Sequence, residues 1–115
     1  MLVFVYGTLK RGGRNHGLLA GQEFLQEACT VPRYRLYDGG SYPCLVEETT
    51  RGVGVLGEIW RVNAPTLAAL DELEEVPLVF DRRAIALEAW QTPVVAYFYQ
   101  GDITGFRDCG DRWPR

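Results

Sequence analysis

The first six residues form an uninterrupted run of apolar, β-branched and aromatic side chains that stops at Gly7. Val, Phe and Tyr favour strands, and a short continuous apolar run bounded by a turn residue is typical of a fully buried strand. The sequence therefore predicts a buried first strand from Met1 to Tyr6, followed by a turn. Any fold for this chain has to be built around a sheet.

Further short segments with strand character follow, and turn residues such as Pro32, Asp38-Gly39-Gly40 and Pro43 separate the first of them. The strand-like segments cover residues 23–31, 34–37, 42–47, 53–62, 79–87 and 94–99. We expect the first three of these to form a meander. Gly54 and Gly57 interrupt the segment 53–62 and indicate a bulged or sharply bent strand, as closed sheets use. The pattern therefore favours a barrel-like sheet.

Only one segment carries a convincing set of helix signals. Asn63 is a good N-cap, Pro65 fits the first turn, residues 66–75 include strong helix formers, and Pro77 ends the helix. A second helix of one or two turns is predicted after Asn15. The expected architecture is α+β: a small mixed, mostly antiparallel barrel with one main helix, short flanking helices and an irregular tail over residues 101–115.

Size and charge narrow the classes of function. A chain of 115 residues is the usual size of one domain, which we expect to span residues 1–115. A net charge of −3 does not match a nucleic-acid partner, which requires a basic surface. No apolar run reaches the roughly 20 residues of a membrane helix, and the first residues lack signal-peptide features. We therefore expect a cytoplasmic protein without nucleic-acid or membrane partners.

The three cysteines, Cys29, Cys44 and Cys109, are odd in number and lack C-x-x-C spacing, so they predict neither a disulfide framework nor a zinc site. A thiol nucleophile would need a nearby histidine. The only histidine, His16, lies in a polar loop and is interpreted as a surface or structural residue.

One carboxylate of the main helix lies on its apolar face. Glu74 follows Leu67 by seven residues and Leu70 by four, spacings that place side chains on one side of a helix, and Leu73 is expected on the same face. A glutamate that faces the interior must be paired, hydrogen-bonded or raised in pKa. Periodicity alone leaves two interpretations open: an acid/base group, or an ion pair with Arg82 or Arg83 that closes the core.

The turn after the first strand offers a second candidate site. Residues 7–12 satisfy the G-x-x-x-x-G part of a P-loop, but Gly13-Arg14 stands where Lys-Ser/Thr is required, and no long helix follows. Nucleotide binding is therefore disfavoured. A Gly-Thr-Leu turn at a strand end can instead present unpaired backbone N–H groups to a carboxylate or oxyanion. Taken alone, the motif fits a plain structural turn better than a binding loop.

In combination, these motifs resemble those of the γ-glutamylcyclotransferase (AIG2-like) family, nearest to its γ-glutamylamine cyclotransferase branch. The resemblance is carried by Tyr6-Gly7-Thr8-Leu9-Lys10-Arg11-Gly12, Asn15-His16, Tyr42-Pro43, Gly57-Glu58-Ile59-Trp60, Leu70-Asp71-Glu72-Leu73-Glu74 and Tyr97-Phe98-Tyr99. It covers nearly the whole chain, and the turn and the helix motif occur together in the family's order.

The resemblance implies a small mixed barrel and an enzyme that cyclises a γ-glutamyl group to 5-oxoproline, with no metal or cofactor. It implies Glu74 as general acid/base. It also implies that the backbone of Gly7, Thr8 and Leu9 holds the substrate, with Tyr6 and Tyr99 lining the pocket. For Tyr6, a role as a core aromatic is an equal alternative. The expected partner is a small γ-glutamyl compound.

Two departures bear on specificity. The family often has Gly after its catalytic Glu and a Tyr-x-Arg shortly beyond, whereas this chain has Glu75 and Phe80-Asp81-Arg82. Two alternatives therefore stay open. One is a non-catalytic barrel that binds a small carboxylate or peptide. The other is an enzyme of the same fold that releases γ-glutamyl groups from a different metabolite.

Overall fold

Two β-sheets and one α-helix form the fold in a computed structural model that describes residues 1–114. The strands are β1 (Leu2–Val5), β2 (Glu23–Cys29), β3 (Tyr34–Asp38), β4 (Pro43–Glu47), β5 (Leu56–Arg61), β6 (Phe80–Ala84), β7 (Val95–Tyr99) and β8 (Arg107–Gly110). A 3₁₀ helix spans His16–Leu19, and helix α1 spans Ala64–Leu73. The expected α+β class with one main helix is confirmed.

The larger sheet has the strand order β2-β5-β1-β7-β6, and the smaller one has the order β4-β3-β8. Only the contact between β1 and β7 is parallel, and it pairs Val3 with Val95. All other strand pairs are antiparallel, as predicted. Strand β1 lies at the centre of the larger sheet, which agrees with its four buried side chains.

The alternation of side chains along β1 divides the interior into two clusters. Phe4 belongs to the core between the two sheets, together with Leu36, Leu45 and Phe98. Side chains of the opposite face form a second cluster under α1 and the 3₁₀ helix: Val3, Val5, Leu9, Leu19, Trp60, Val62, Leu70, Phe80 and Tyr97. The molecule is therefore layered, with the small sheet on one side of the large sheet and the helices on the other.

The predicted closed barrel is not what forms, because β2 and β6 are the two edges of the larger sheet in residues 1–114. The glycines that suggested a bent strand have another role. A Cβ at Gly57 would lie 2.4 Å from the carbonyl oxygen of Val5, so this glycine lets β5 approach β1 closely. It does not turn the strand to close a cylinder.

Two further expectations are corrected. The predicted meander is incomplete, since β3 and β4 form a hairpin but β2 pairs with β5. The tail is not wholly irregular, because β8 pairs with β3 and Trp113 packs against the core between the sheets. The predicted main helix is confirmed, and its cap is Asn63, whose side chain accepts a hydrogen bond from the N–H of Thr66 at 2.9 Å.

Candidate active site

Glu74 lies at the carboxyl end of α1, where its backbone N–H donates to the carbonyl of Leu70 at 2.9 Å. Leu70 is completely buried and fixes this end of the helix against the sheet. The predicted inward position of Leu73 is wrong, because this side chain is 39% exposed. It is the last helical residue and lies at the edge of a cavity instead of in the core.

Gly7 follows β1 and packs tightly against Pro43, the first residue of β4. A Cβ at Gly7 would lie 2.4 Å from Cγ of Pro43, which no real side chain tolerates without movement. The following turn closes with a hydrogen bond from the N–H of Lys10 to the carbonyl of Gly7 at 3.1 Å. The Gly-Thr-Leu sequence is therefore fixed by a close contact between segments from the two sheets.

Side chains hold in place the rest of the loop, which spans residues 6–15 between β1 and the 3₁₀ helix. Asn15 donates through its backbone N–H to the carbonyl of Thr8 and through Nδ2 to Oγ1 of Thr8, both at 3.0 Å. Nδ1 of His16 lies 3.0 Å from the carbonyl oxygen of Leu9, and the imidazole packs edge-on against Trp60. His16 is thus placed as a structural residue of the loop.

The backbone N–H groups of Gly7, Thr8 and Leu9 have no hydrogen-bond acceptor within residues 1–114. Backbone N–H groups are strong donors that are almost always paired when buried, so a run of three without a protein partner is unusual. Consecutive free N–H groups suit a carboxylate or an oxyanion.

A cavity of about 180 Å³ joins the loop to the helix. Its walls include Glu74 and all of the loop residues proposed from the sequence: Tyr6, Gly7, Thr8 and Leu9. The remaining lining residues are Phe4, Val5, Arg14, Asn15, Tyr42, Pro43, Leu73, Glu75, Val79, Phe80 and Tyr97. The structure therefore brings the glutamate and the glycine turn, which are remote in sequence, to one cavity.

The carboxyl of Glu74 accepts no hydrogen bond from any protein group in the described part of the chain. Burial raises its pKa from 4.5 to about 7. The alternative of an ion pair is wrong for both arginines: Arg82 lies 3.6 Å from Asp71, and Arg83 lies 3.1 Å from Asp81. A carboxyl of this kind exchanges its proton near neutral pH.

Tyr6 is at once a core residue and part of the cavity wall. Its hydroxyl donates to the carbonyl of Tyr97 at 2.5 Å. Burial raises the pKa of Tyr6, and the negative charge of nearby Glu74 raises it further. The phenol therefore stays protonated, and the hydrogen bond fixes the position of the ring beside the loop.

Tyr99 was expected in the pocket, but it does not line this cavity. Its ring packs against Phe80 and Phe106, with centroid distances of 5.5 and 5.9 Å. Tyr97 lines the cavity instead. Residues two apart in a strand share a face, so the sequence indicated the correct face of β7 but not which of the two tyrosines reaches the cavity.

Asp71 was missed by the sequence interpretation, although it lies on the inner face of α1 one turn before Glu74. Its Oδ1 accepts a hydrogen bond from the hydroxyl of Tyr97 at 2.7 Å and lies 3.6 Å from Nε of Arg82. These contacts tie the helix to β6 and β7. The available signal was its spacing of four residues from Leu67, which places both side chains on one face of the helix.

The sequence indicated Glu58 only as part of a motif, yet this residue anchors the loop. Its carboxylate accepts hydrogen bonds from the backbone N–H and Nε of Arg11 and from Nε1 of Trp60, at 3.0 to 3.1 Å. Burial acts to raise the pKa of Glu58, but the hydrogen bonds from Trp60 and Arg11 outweigh it, so the pKa is lowered. The buried carboxylate is therefore charged and holds the loop to β5.

Glu75 occupies the position where the family that the sequence resembles often has glycine. Its φ of 53° lies in the left-handed region, which glycine adopts without a Cβ penalty. The chain turns away from the helix at this residue. The departure from the family pattern thus leaves the backbone turn in place and adds a carboxylate beside the cavity.

Within residues 1–114, no group of three or more His, Cys, Asp or Glu side chains is arranged to hold a metal ion. In the same range, no helix has the length and apolar character needed to cross a bilayer.

A model of the family "Gamma-glutamyl cyclotransferase, AIG2-like" matches residues 3–114. The chain belongs to this family. A Vibrio cholerae protein, named only provisionally as a γ-glutamylcyclotransferase, is 48% identical over 110 residues, which cover 96% of this chain and 93% of the relative. The γ-glutamylaminecyclotransferase of Rattus norvegicus is 37% identical over 90 residues, covering 72% of this chain and 60% of the rat protein.

The cyclotransferase fold is also supported by a solved structure. The crystal structure of an AIG2-like protein from Mus musculus superposes with a TM-score of 0.79 at 27% identity, covering 93% of this chain and 84% of the mouse chain. The assignment to this enzyme family, made from the sequence, is therefore confirmed.

Proposed function

We propose that this chain cyclises the γ-glutamyl group of a small substrate to 5-oxoproline and releases the attached amine, with Glu74 as general base and then general acid. The observation that supports this most directly is the position of the Glu74 carboxyl, which is buried without a protein partner in a cavity shared with the free N–H groups of the loop; burial raises its pKa to about 7. Membership of the cyclotransferase family supplies the reaction class.

The reaction needs few protein groups. The α-amino nitrogen of the substrate attacks its own γ-carbonyl carbon, and the new C–N bond closes a five-membered ring. The bond from that carbon to the substituent nitrogen then breaks, and the amine leaves. Because the nucleophile is part of the substrate, folding the substrate supplies a high effective concentration. No water is consumed.

Glu74 is proposed to move the proton. As a carboxylate it takes a proton from the α-ammonium, and as a carboxylic acid it gives that proton to the departing nitrogen. The second proton, which the attacking nitrogen loses as the ring amide forms, follows the same route, so the amine leaves as an ammonium. An acid/base group works best when its pKa is close to the operating pH, which the burial of Glu74 provides. Both protons are thus passed on within one turnover.

The backbone N–H groups of Gly7, Thr8 and Leu9 are proposed to bind the α-carboxylate of the substrate or the oxyanion of the tetrahedral intermediate. Donors that are already oriented stabilise developing negative charge without reorganisation. The loop is held by Asn15 and, through Arg11, by Glu58. It is therefore suited to keep these donors in place during turnover.

The test is incubation of the full chain with a panel of γ-glutamyl amino acids and γ-glutamyl amines, with mass-spectrometric detection of 5-oxoproline. Glu74→Gln is expected to lower the rate by about 10² to 10⁴. Glu72→Gln, an exposed change two residues earlier on the same helix, serves as the matched control. Binding of the panel without product would instead identify a non-catalytic binding protein.

A further inference from the structure

Nearly every arginine in residues 1–114 has a carboxylate partner. Ion pairs are formed by Arg11, Arg35, Arg51, Arg61, Arg82, Arg83, Arg107 and Arg112. Within the same range, Arg14 and Arg33 are the two exceptions. Most guanidiniums of the described chain are therefore already paired, and Arg14 and Arg33 are the two that are left to bind a carboxylate from outside.

Arg14 is exposed and lines the cavity that holds Glu74, whereas Arg33 does not. The other charged residues among the described lining residues are Glu74 and Glu75, both acidic. Arg14 is therefore the one positive charge in this part of the cavity wall. It follows the glycine loop directly, so the same anchored segment carries the free N–H groups and the guanidinium.

The size of the cavity determines which part of a substrate can reach Arg14. Its volume of about 180 Å³ is small beside the roughly 300 to 1,000 Å³ of pockets that enclose a drug-sized ligand. The inner wall is formed by buried residues such as Phe4, Tyr6 and Tyr97, while Arg14, Leu73 and Glu75 are exposed at the edge. A glutamyl head inside the cavity would leave the rest of the substrate at this edge.

We propose that Arg14 is a specificity-determining residue that binds a carboxylate on the departing amine, so that γ-glutamyl compounds with such a carboxylate are preferred to those without one. This inference rests on the function proposed above. Guanidinium groups bind carboxylates through two parallel hydrogen bonds, and the contact is strengthened by charge. The free N–H groups of the loop remain available to the carboxylate of the glutamyl head.

The experiment compares two substrates that share the glutamyl head and differ in one group. γ-Glutamylalanine carries a carboxylate on the departing amine, and γ-glutamylethylamide has a hydrogen in its place. The kcat/KM for 5-oxoproline formation is measured with both compounds for the wild-type chain, Arg14→Ala, Arg14→Lys and Arg33→Ala. The quantity of interest is the ratio of the two kcat/KM values.

The wild-type chain is expected to prefer γ-glutamylalanine, and Arg14→Ala is expected to lower the preference ratio by about 5- to 10-fold. The loss should appear in KM with kcat retained, because the carboxylate lies away from the bonds that change. Arg14→Lys, which keeps the charge, should retain part of the preference. Arg33→Ala makes the same change in net charge outside the cavity and should leave the ratio unchanged.

If the ratio of the two kcat/KM values is unchanged in Arg14→Ala, whether or not both values fall, the role of Arg14 is overturned. The cyclotransferase function would stay in place. Calorimetric measurement of the binding of both compounds to wild-type and Arg14→Ala protein covers the case in which neither compound is cyclised. If neither compound is cyclised, the proposed function fails; preferential binding of γ-glutamylalanine that depends on Arg14 would still support carboxylate recognition, and equal binding would refute it.

Discussion

Glutamine at position 74 would keep the shape of the Glu74 side chain and remove its negative charge. In the folded protein the pKa of Glu74 is raised from 4.5 to about 7, so the folded state holds this proton more tightly than the unfolded chain does. The stability that the protonated carboxyl contributes is fully present below pH 4.5. It is lost as the pH rises through the folded pKa, because the unfolded chain releases the proton first.

The size of the effect follows from the two pKa values. Each pH unit between them corresponds to about 1.4 kcal/mol, which sets an upper limit of roughly 3 kcal/mol on the stability lost between pH 4.5 and 7. Part of Glu74 reaches solvent through the cavity, which screens the charge, so about 1 to 3 kcal/mol is the expected range. Glu74→Gln has no proton to lose and escapes this penalty.

The assay is urea unfolding of wild-type and Glu74→Gln protein at pH 4 and pH 8, with Glu72→Gln as a control on the exposed side of α1. At pH 8 the Glu74→Gln protein should be more stable than wild type by about 1 to 3 kcal/mol, and at pH 4 the two should agree within about 0.5 kcal/mol. The same variant should have lost at least about 10² in turnover.

If the free energies of unfolding of wild type and Glu74→Gln change in parallel between pH 4 and pH 8, the reasoning is refuted. Glu74 would then have the same pKa in the folded and unfolded states. A variant less stable than wild type at pH 8 would refute it more strongly. Such a result would mean that the ionised carboxylate is stabilised by a partner, as in the ion-pair interpretation that the geometry disfavours.

Three further changes test the loop and the helix end. Gly7→Ala is expected to destabilise the fold by about 1 to 3 kcal/mol in urea unfolding and to lower activity, because the new methyl group overlaps Pro43. Arg11→Ala should cost about 1 to 3 kcal/mol at pH 7 by leaving buried Glu58 short of donors, and the cost should shrink as the pH falls through the lowered pKa of Glu58, because the protonated carboxyl depends less on those donors. Glu75→Gly should change stability by less than about 1 kcal/mol, because relief of the left-handed φ offsets the added freedom of the unfolded chain.

Matched changes that add or remove a glycine give Gly7→Ala and Glu75→Gly a reference. Gly17→Ala introduces a methyl group with no atom within 4 Å and should be nearly neutral, in contrast to Gly7→Ala. Glu72→Gly lies within α1 and should cost about 1 kcal/mol, in contrast to Glu75→Gly. Equal costs at the paired positions would contradict the assigned backbone and packing constraints. For Arg11→Ala, a cost that does not vary with pH would exclude Glu58 as the group that is stabilised.

Local signals in the sequence were sufficient for the elements that begin the site. A continuous apolar run identified β1, and an N-cap with a following proline identified α1. The helical spacing indicated that Glu74 faces inward, since Leu67 and Leu70 precede it by whole turns. These inferences succeed because each depends on residues close together in the chain.

The remaining features depend on contacts between distant segments, which periodicity does not encode. The pairing of β2 with β5 and of β8 with β3 decides that the sheets stay separate. Tyr97 and Tyr99 have the same alternation, and only the position of the cavity distinguishes them. The partner of Arg82 is Asp71, and the sequence offered several acidic residues for that role.

The contact of Gly7 with Pro43 places two walls of one cavity on different layers of the protein. Gly7 follows a strand of the large sheet, and Pro43 begins a strand of the small sheet. A sliding of one layer over the other by a fraction of an ångström would reshape the cavity before any strand lost its hydrogen bonds. Substitutions in the apolar interior between the layers can therefore retune which molecules the enzyme accepts without altering a single residue that touches them.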